Sequence, residues 1–191
     1  MLNIKVNPMD SIFIKRRKKS VQTKFKATQS RTIEEASELS VYIYSLGNEL
    51  EAEELLNSFS EESPYNEHRP QRWAAVGEAI LFNAYIKKLN GEMGECERLK
   101  KIIVTHDYDP IPGGKDKYLP RLKESLNSGI EMWDSVTKHE KCQIIAQSFL
   151  LCVYAKLMFP SLCEKYELES GFNISSEMVS LLERLKNEVS N

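Results

Sequence analysis

Residues 43–52 read Ile-Tyr-Ser-Leu-Gly-Asn-Glu-Leu-Glu-Ala, and residues 86–96 read Ile-Lys-Lys-Leu-Asn-Gly-Glu-Met-Gly-Glu-Cys. In each stretch an apolar helical pattern stops at a glycine, Gly47 or Gly91, and a small residue follows five positions later. Glycine accepts the left-handed conformation with which many helices end. Leu55 corresponds to Leu99 at the same offset of 44 residues, and a period of this length is typical of stacked helical hairpins.

Helical periodicity continues along the chain from Thr32. Thr32 and Glu35 have the spacing of a capping box, in which a hydroxyl and a carboxylate accept hydrogen bonds from the free amides of a first helical turn. Thr137 and Glu140 have the same spacing. We therefore expect an all-α fold of about seven helices in antiparallel hairpins, arranged as a bundle or a short solenoid. The expected helices cover approximately residues 32–47, 48–59, 70–89, 93–103, 118–135, 137–159 and 176–189.

The two glycine junctions resemble the turns of tetratricopeptide-type repeats, where glycine ends one helix and a small residue lets the next helix pack closely. In this chain, Gly47 is followed by Ala52 and Gly91 by Cys96. The chain departs from that family in its longer period and in the absence of the Trp-Leu-Gly-Tyr spacing of the family's first helices. The resemblance implies tetratricopeptide-like helical hairpins, and a plain antiparallel bundle with similar turns is the alternative.

The charged residues divide the chain into a basic N-terminal arm, residues 1–31, and an acidic helical domain, residues 32–191. The arm has nine cations and one acid, whereas the domain has 17 cations and 27 acids. Three interpretations of the arm stay open: a solvated tail, a contact for phosphates or an acidic surface, and a segment that folds back on the acidic domain. The cations assigned to such a contact are Lys15, Arg16, Arg17, Lys18, Lys19, Lys24 and Lys26.

The arm also has a pattern of alternating residues. Val21, Thr23, Phe25 and Ala27 lie on one side of a period of two, and polar residues lie on the other. This alternation is typical of a half-buried strand. We therefore expect a short strand over residues 21–28, or a hairpin in which residues 11–15 form the second strand.

Histidine and aspartate offer one candidate for catalysis. His68 followed by the pair His106-Asp107 resembles the ligand set of all-helical metal phosphohydrolases of the HD type, where imidazoles and carboxylates hold divalent metals that activate water. That family's pair lies in a packed helix, whereas this pair precedes a loop rich in proline and glycine. No GxSxG, HExxH or glycine-rich dinucleotide motif is present. We expect a protein that is not an enzyme and has no cofactor, with HD-type chemistry as an alternative.

Cysteine usage and hydropathy suggest a location. The four cysteines have no paired spacing and no secretory signal precedes them, so we expect reduced thiols in a cytoplasmic protein. The most apolar stretch, residues 144–159, is shorter than the ~20 residues that a bilayer requires. It predicts a buried helix, and we expect no membrane partner.

Acidic and aromatic residues around residue 50 indicate the kind of partner. Glutamates crowd this region, and tyrosines precede it; aromatic side chains often anchor protein interfaces. We expect a protein-binding module, either an accessory subunit of a larger complex or an immunity-type inhibitor that covers a basic site. Sequence-independent nucleic-acid binding by the arm is the alternative. The residues assigned to the protein partner are Tyr42, Tyr44, Glu49, Glu53 and Glu54.

Overall fold

The fold is known from a computed structural model, which describes residues 4–24, 30–60, 70–105, 115–131 and 135–191. Side chains are described for residues 4–23, 33–57, 76–104, 118–127 and 135–191. These ranges contain nine α-helices and no strand, which confirms the predicted all-α class. The chain divides into two compact units, one of residues 1–108 and 186–191 and the other of residues 109–185.

Five helices form most of the first unit: α1 (Ile12–Lys24), α2 (Ser30–Ser45), α3 (Glu49–Ser60), α4 (Pro70–Leu89) and α5 (Met93–Thr105). Helix α2 packs against α1, α3 and α4, and α4 packs also against α3 and α5. The core of this unit includes the fully buried side chains of Leu39, Leu56, Ile80 and Leu99. Burial of an aliphatic side chain of this size stabilises the fold by about 1.5–3 kcal/mol.

The two hairpin turns of the first unit have the same backbone geometry. Gly47 has a φ of 83° and Gly91 a φ of 78°, in the left-handed region that favours glycine. In each turn the glycine amide donates to the carbonyl three residues back, and the next amide donates to the carbonyl five residues back, at 2.9–3.2 Å. These bonds satisfy carbonyls that the helix end leaves free. The repeat in the sequence thus has a counterpart in the backbone.

The basic arm differs from its prediction, because residues 12–24 form α1 instead of strands. Residues 25–29 lie outside the described residues. The Ser11 hydroxyl accepts a hydrogen bond from the Ile14 amide at 3.3 Å and so caps the first turn. Ile14, Lys18 and Val21 are buried, and this spacing of four and three residues belongs to one helix face. The sequence does not show this buried face, because its central residue is Lys18, a charged residue. The alternating pattern that begins at Val21 predicts a strand instead.

The first unit also includes the last residues of the chain. The Ser11 hydroxyl donates a hydrogen bond to the carbonyl oxygen of Val189, whose side chain is fully buried. Two segments at opposite ends of the sequence therefore meet in one core.

The second unit contains α6 (Lys115–Glu131), α7 (Lys138–Met158), α8 (Pro160–Ser170) and most of α9 (Ile174–Ser190). The predicted capping box at the start of α7 is confirmed: the Glu140 amide donates to the Thr137 hydroxyl, and the Thr137 amide donates to the Glu140 carboxylate. Pro160 separates α7 from α8, since it has no amide hydrogen to continue a helix. The predicted count of about seven helices omitted α1 and α8.

Helix α7 contains most of the apolar stretch at residues 144–159, and its side chains are largely buried. No single helix in the described ranges is long and apolar enough to cross a membrane; only α7 and α8 together, bent by 111°, reach that length and composition. The four cysteines are free and buried. Burial raises the pKa of the Cys152 thiol to about 12, so this thiol is protonated at neutral pH.

Candidate partner-binding surface

The tips of the two helical hairpins form the candidate site. Here α2 turns into α3 and α4 turns into α5, and each turn places an apolar residue on the outside. Leu50 is 77% exposed, Leu89 is 52% exposed and Met93 is 50% exposed. We call these three side chains, together with Tyr44, Glu49 and Tyr85 beside them, the tip surface. Large apolar side chains grouped at one end of a fold often mark an interaction site.

An aromatic cluster lies under the tip surface. The ring of Phe82 is fully buried and contacts Tyr44 edge-to-face, with ring centroids 5.4 Å apart. It also stacks on Tyr85 at 6.5 Å. Burial, followed by the electrostatic influence of Tyr85 and Glu49, raises the pKa of the Tyr44 phenol to about 12. Both tyrosines are half-buried, so they combine a fixed ring with an uncharged hydroxyl.

A lysine links the two tips. Lys87, near the end of α4, forms an ion pair with Glu53 on α3 and another with Glu92 in the second turn, the latter at 3.0 Å. The hydrogen bond that the Lys87 ammonium donates to the Glu53 carboxylate is the main cause that raises the pKa of Lys87. Because this cation bridges α3 and the second turn, the two tips are held side by side.

The structure divides the five residues that were predicted to contact a protein. Tyr42 is fully buried and packs on Phe13 at 5.7 Å between ring centroids, so it offers no surface to a partner. Tyr44 and Glu49 are half-buried in the tip surface, and Glu54 is exposed nearby on α3. Glu53 is engaged by Lys87. The assignment of Tyr42 is therefore corrected, because α1 covers it.

A second group of carboxylates was not predicted. Glu38 of α2 is buried, and burial together with Glu34 and Glu38 raises the pKa of Glu78 on α4 to about 7. Glu35 on α2 accepts a hydrogen bond from the Ser20 hydroxyl of α1 at 3.1 Å. The sequence does indicate this group of carboxylates. Glu34 and Glu78 are separated by the same offset of 44 residues as the two hairpins, so they occupy equivalent positions in them.

The cations of the arm have different environments. Lys18 is 1% exposed and forms ion pairs with Asp10 at 2.9 Å and Glu51 at 2.5 Å, so it does not reach an external phosphate. Lys15 donates to the Pro8 carbonyl, and Arg17 lies 5.8 Å from the centre of the Phe13 ring. Arg16 and Lys19 are exposed. The side chains of Lys24 and Lys26 lie outside the described residues.

The residues of the alternative metal site, His68, His106 and Asp107, also lie outside the described residues. Among the side chains that the structure does describe, no group of three or more His, Cys, Asp and Glu has an arrangement that holds a metal ion. The carboxylates around Glu78 are therefore an acidic cluster, not a candidate metal centre.

Comparison with known protein families, with curated proteins and with solved structures finds no match for this chain.

Proposed function

We propose that this chain is a non-enzymatic protein-binding module that contacts its partner through the tip surface. The observation that supports the proposal is the exposure of Leu50, Leu89 and Met93 at the same end of two linked hairpins. Apolar side chains of this size gain free energy when a partner removes them from water, about 25 cal/mol per Å². The rings of Tyr44 and Tyr85 beside them are of the type that dominates interface energies.

The charges around the tip surface favour a partner with basic groups. Helix α3 contains four glutamates and no cation. Two of them are matched within the fold, Glu51 by Lys18 and Glu53 by Lys87. Glu49 and Glu54 remain as acidic groups beside Leu50. A partner that presents an apolar group flanked by lysine or arginine therefore complements this surface in both respects.

A cavity in the second unit is a weaker candidate for a binding site. It has a volume of about 160 Å³ and is lined by Leu119, Pro120, Leu162, Lys165, Tyr166 and Glu169. Pockets for small molecules usually enclose roughly 300–1,000 Å³. The tip surface is therefore the better basis for a functional proposal.

The proposed partner is a protein in the cytoplasm, and two roles fit the same surface. As an accessory subunit, the chain would join a larger complex and leave its activity in place. As an immunity-type inhibitor, it would cover a basic functional site and abolish the partner's activity. An assay of the captured partner, with and without this chain, separates the two roles.

The test compares capture by the wild-type chain with capture by a triple variant, Leu50→Ser, Leu89→Ser and Met93→Ser. The partner identified by mass spectrometry is then purified, and its affinity for both proteins is measured. We expect the triple variant to lose at least about tenfold in affinity, since full burial of even one leucine or methionine side chain contributes about 1.5–3 kcal/mol. A variant with Leu168→Ser and Val179→Ser, which removes exposed apolar groups of the second unit, is the matched control. Equal binding by wild type and triple variant would exclude the tip surface.

Nucleic-acid binding by the arm stays an alternative with its own measurement. Each neutralised duplex phosphate contributes about −0.9 to the slope of log affinity against log salt. Arg16 and Lys19 are the exposed cations of the run Lys15–Lys19. Contacts from these two residues give a slope of about −1.8, against about −4.5 for five contacts. A slope near the larger value would show that more cations of the arm than Arg16 and Lys19 contact the duplex.

A further inference from the structure

A second apolar group lies on the surface of the first unit, in the segment that leads into α1. Met9 is 90% exposed, Ile12 is 68% exposed and Val6 is 38% exposed. These three side chains occur within seven residues. We call them, together with the exposed cations Lys5, Arg16 and Lys19, the N-terminal patch. The patch shares no residue with the tip surface and does not depend on its proposed function.

The turn that carries Met9 is held by hydrogen bonds. The Asn7 amide donates to Asp10 Oδ2 at 2.8 Å, and the Met9 amide donates to Asn7 Oδ1 at 3.0 Å. Beneath the turn, the buried Nζ of Lys18 donates to Asp10 Oδ2 at 2.9 Å and to the Lys5 carbonyl at 3.0 Å. These hydrogen bonds fix the conformation of the turn, and in that conformation the Met9 side chain is exposed.

The cations of the patch continue the same face of α1. Ile12, Arg16 and Lys19 follow one another at spacings of four and three residues, so their side chains share one helix face. The other face is occupied, because Ile14 and Val21 are buried in the unit. The exposed face of α1 is consequently apolar at its first residue, Ile12, and basic farther along, at Arg16 and Lys19.

No exposed acid offsets these cations within residues 4–23. Asp10 is the single acidic residue of that range, and Lys18 pairs with it in a buried position. The N-terminal patch therefore combines positive charge with exposed apolar side chains.

We propose that the N-terminal patch docks on the surface of an anionic phospholipid bilayer. Met9, Ile12 and Val6 enter the boundary between headgroups and acyl chains, while Lys5, Arg16 and Lys19 contact the anionic headgroups. Segments that combine an apolar side with lysine and arginine lie in this interface without crossing the bilayer. The predicted absence of a membrane partner considered only a spanning segment, which such docking does not need.

A bilayer fits the patch better than a nucleic acid does. Phosphate contacts on a duplex are made by cations, polar side chains and backbone amides. They explain Arg16 and Lys19 but leave Met9 and Ile12 in water. An anionic bilayer accommodates both parts of the patch, since each cation near its surface raises binding about fivefold.

The test measures sedimentation of the full chain with vesicles of phosphatidylcholine mixed with phosphatidylserine, and with vesicles of phosphatidylcholine alone. We expect binding to the mixed vesicles that weakens as salt is added, because salt screens the headgroup charge. Binding that is equal for both kinds of vesicle, or absent from both, would overturn the proposal.

Two double variants separate the apolar and the basic contributions. Met9→Ser with Ile12→Ser should weaken binding about a hundredfold, at about tenfold for each apolar side chain. Arg16→Gln with Lys19→Gln should weaken it about 25-fold. Leu168→Ser and Lys165→Gln, which change exposed side chains of the second unit, are the controls and should bind as the wild type does.

The same variants distinguish a nucleic acid from a bilayer. In a parallel titration with duplex DNA, we expect no binding at a salt concentration where the mixed vesicles are bound. Two results together would show that the patch is a nucleic-acid contact and that the bilayer proposal is wrong. The first is DNA binding that Arg16→Gln with Lys19→Gln abolishes. The second is vesicle binding that Met9→Ser with Ile12→Ser leaves unchanged. Circular dichroism of each variant checks that these exposed substitutions leave the fold unchanged.

Discussion

Two helix contacts in the first unit each withdraw an ionisable side chain from solvent. Opposite charges surround the side chain at one contact, and like charges surround it at the other. At the contact of α1 with α3, Lys18 is placed between two carboxylates, at 2.9 and 2.5 Å. At the contact of α2 with α4, Glu78 lies near carboxylates that, together with burial, raise its pKa to about 7. Burial of a charge costs free energy, and an opposite charge beside it offsets that cost, so that removal of one partner of a buried pair is strongly destabilising. We therefore expect the ion pairs of Lys18 to stabilise the packing of α1, and the negative charge of ionised Glu78 to destabilise the contact of α2 with α4.

Removal of the Lys18 ammonium should produce the largest effect. Lys18→Ala leaves the nearly buried carboxylate of Asp10 without its cation, which we expect to lower the free energy of unfolding by about 3 kcal/mol. Urea denaturation followed by circular dichroism measures this change. Lys19→Ala, one residue away and exposed, is the control and should change stability by less than about 0.5 kcal/mol. Equal effects of the two variants would show that the Lys18 ion pairs do not stabilise α1.

Neutralisation of Glu78 should act in the other direction and depend on pH. The folded pKa of about 7 exceeds the ordinary value of 4.5, so stability should fall as the pH rises from about 4.5 to about 7 and stay level above that. Glu78→Gln should remove this fall and raise stability at pH 8 by about 3 kcal/mol, with little effect below pH 4.5.

Melting temperatures measured across this pH range test the prediction for Glu78. The matched control is Glu124→Gln, which changes an exposed carboxylate on α6. A pH profile of Glu78→Gln that is parallel to that of the wild type would contradict the predicted role of this carboxyl group.

A smaller effect is expected when the second partner of Lys18 is changed. Glu51 is 31% exposed, so water screens part of its attraction for the ammonium. Glu51→Gln should therefore cost about 1 kcal/mol, and the cost should disappear when Lys18→Ala is already present. Urea denaturation of the two single variants and the double variant measures the coupling. Strictly additive costs would mean that the ion pair with Glu51 contributes nothing.

The smallest effect concerns Glu34, which is exposed beside Glu78. Glu34→Gln removes one of the charges that raise the pKa of Glu78 and leaves its burial unchanged, so that pKa should fall below about 7. Stability at neutral pH should rise by about 0.5 kcal/mol. Carboxyl carbon NMR titration measures the pKa directly. An unchanged pKa would assign the shift to burial and Glu38, without a contribution from Glu34.

The sequence predicts the hairpins well, because their ends depend on local chemistry. Gly47 and Gly91 are needed wherever a helix ends in the left-handed conformation, and the offset between them is visible without a structure. Local sequence patterns do not predict helix α1, since its buried face includes the charged residue Lys18. A lysine at the centre of a core face is interpretable only once Asp10 and Glu51 are known to surround it, and those contacts are made by the fold.

The candidate site is predictable only in part for a similar reason. Tyr44 and Glu49 lie in a stretch whose composition indicates a contact surface, and both belong to the tip surface. Leu50 fits the apolar pattern that also contains the buried Leu55, yet its side chain points to solvent. Periodicity shows which residues share a helix face but not where a neighbouring helix stops covering it.

The hydrogen bond between Ser11 and the carbonyl of Val189 bears on the order of events during synthesis. The two residues are 178 positions apart, and the ribosome adds about 5–20 residues per second. Helix α1 is therefore translated roughly 10–35 seconds before the residue that closes its core exists. The unit that begins first is completed last, after all of α6, α7 and α8 have been made. We expect a nascent chain stalled before Val189 to be cleaved by protease within α1 faster than the released protein is.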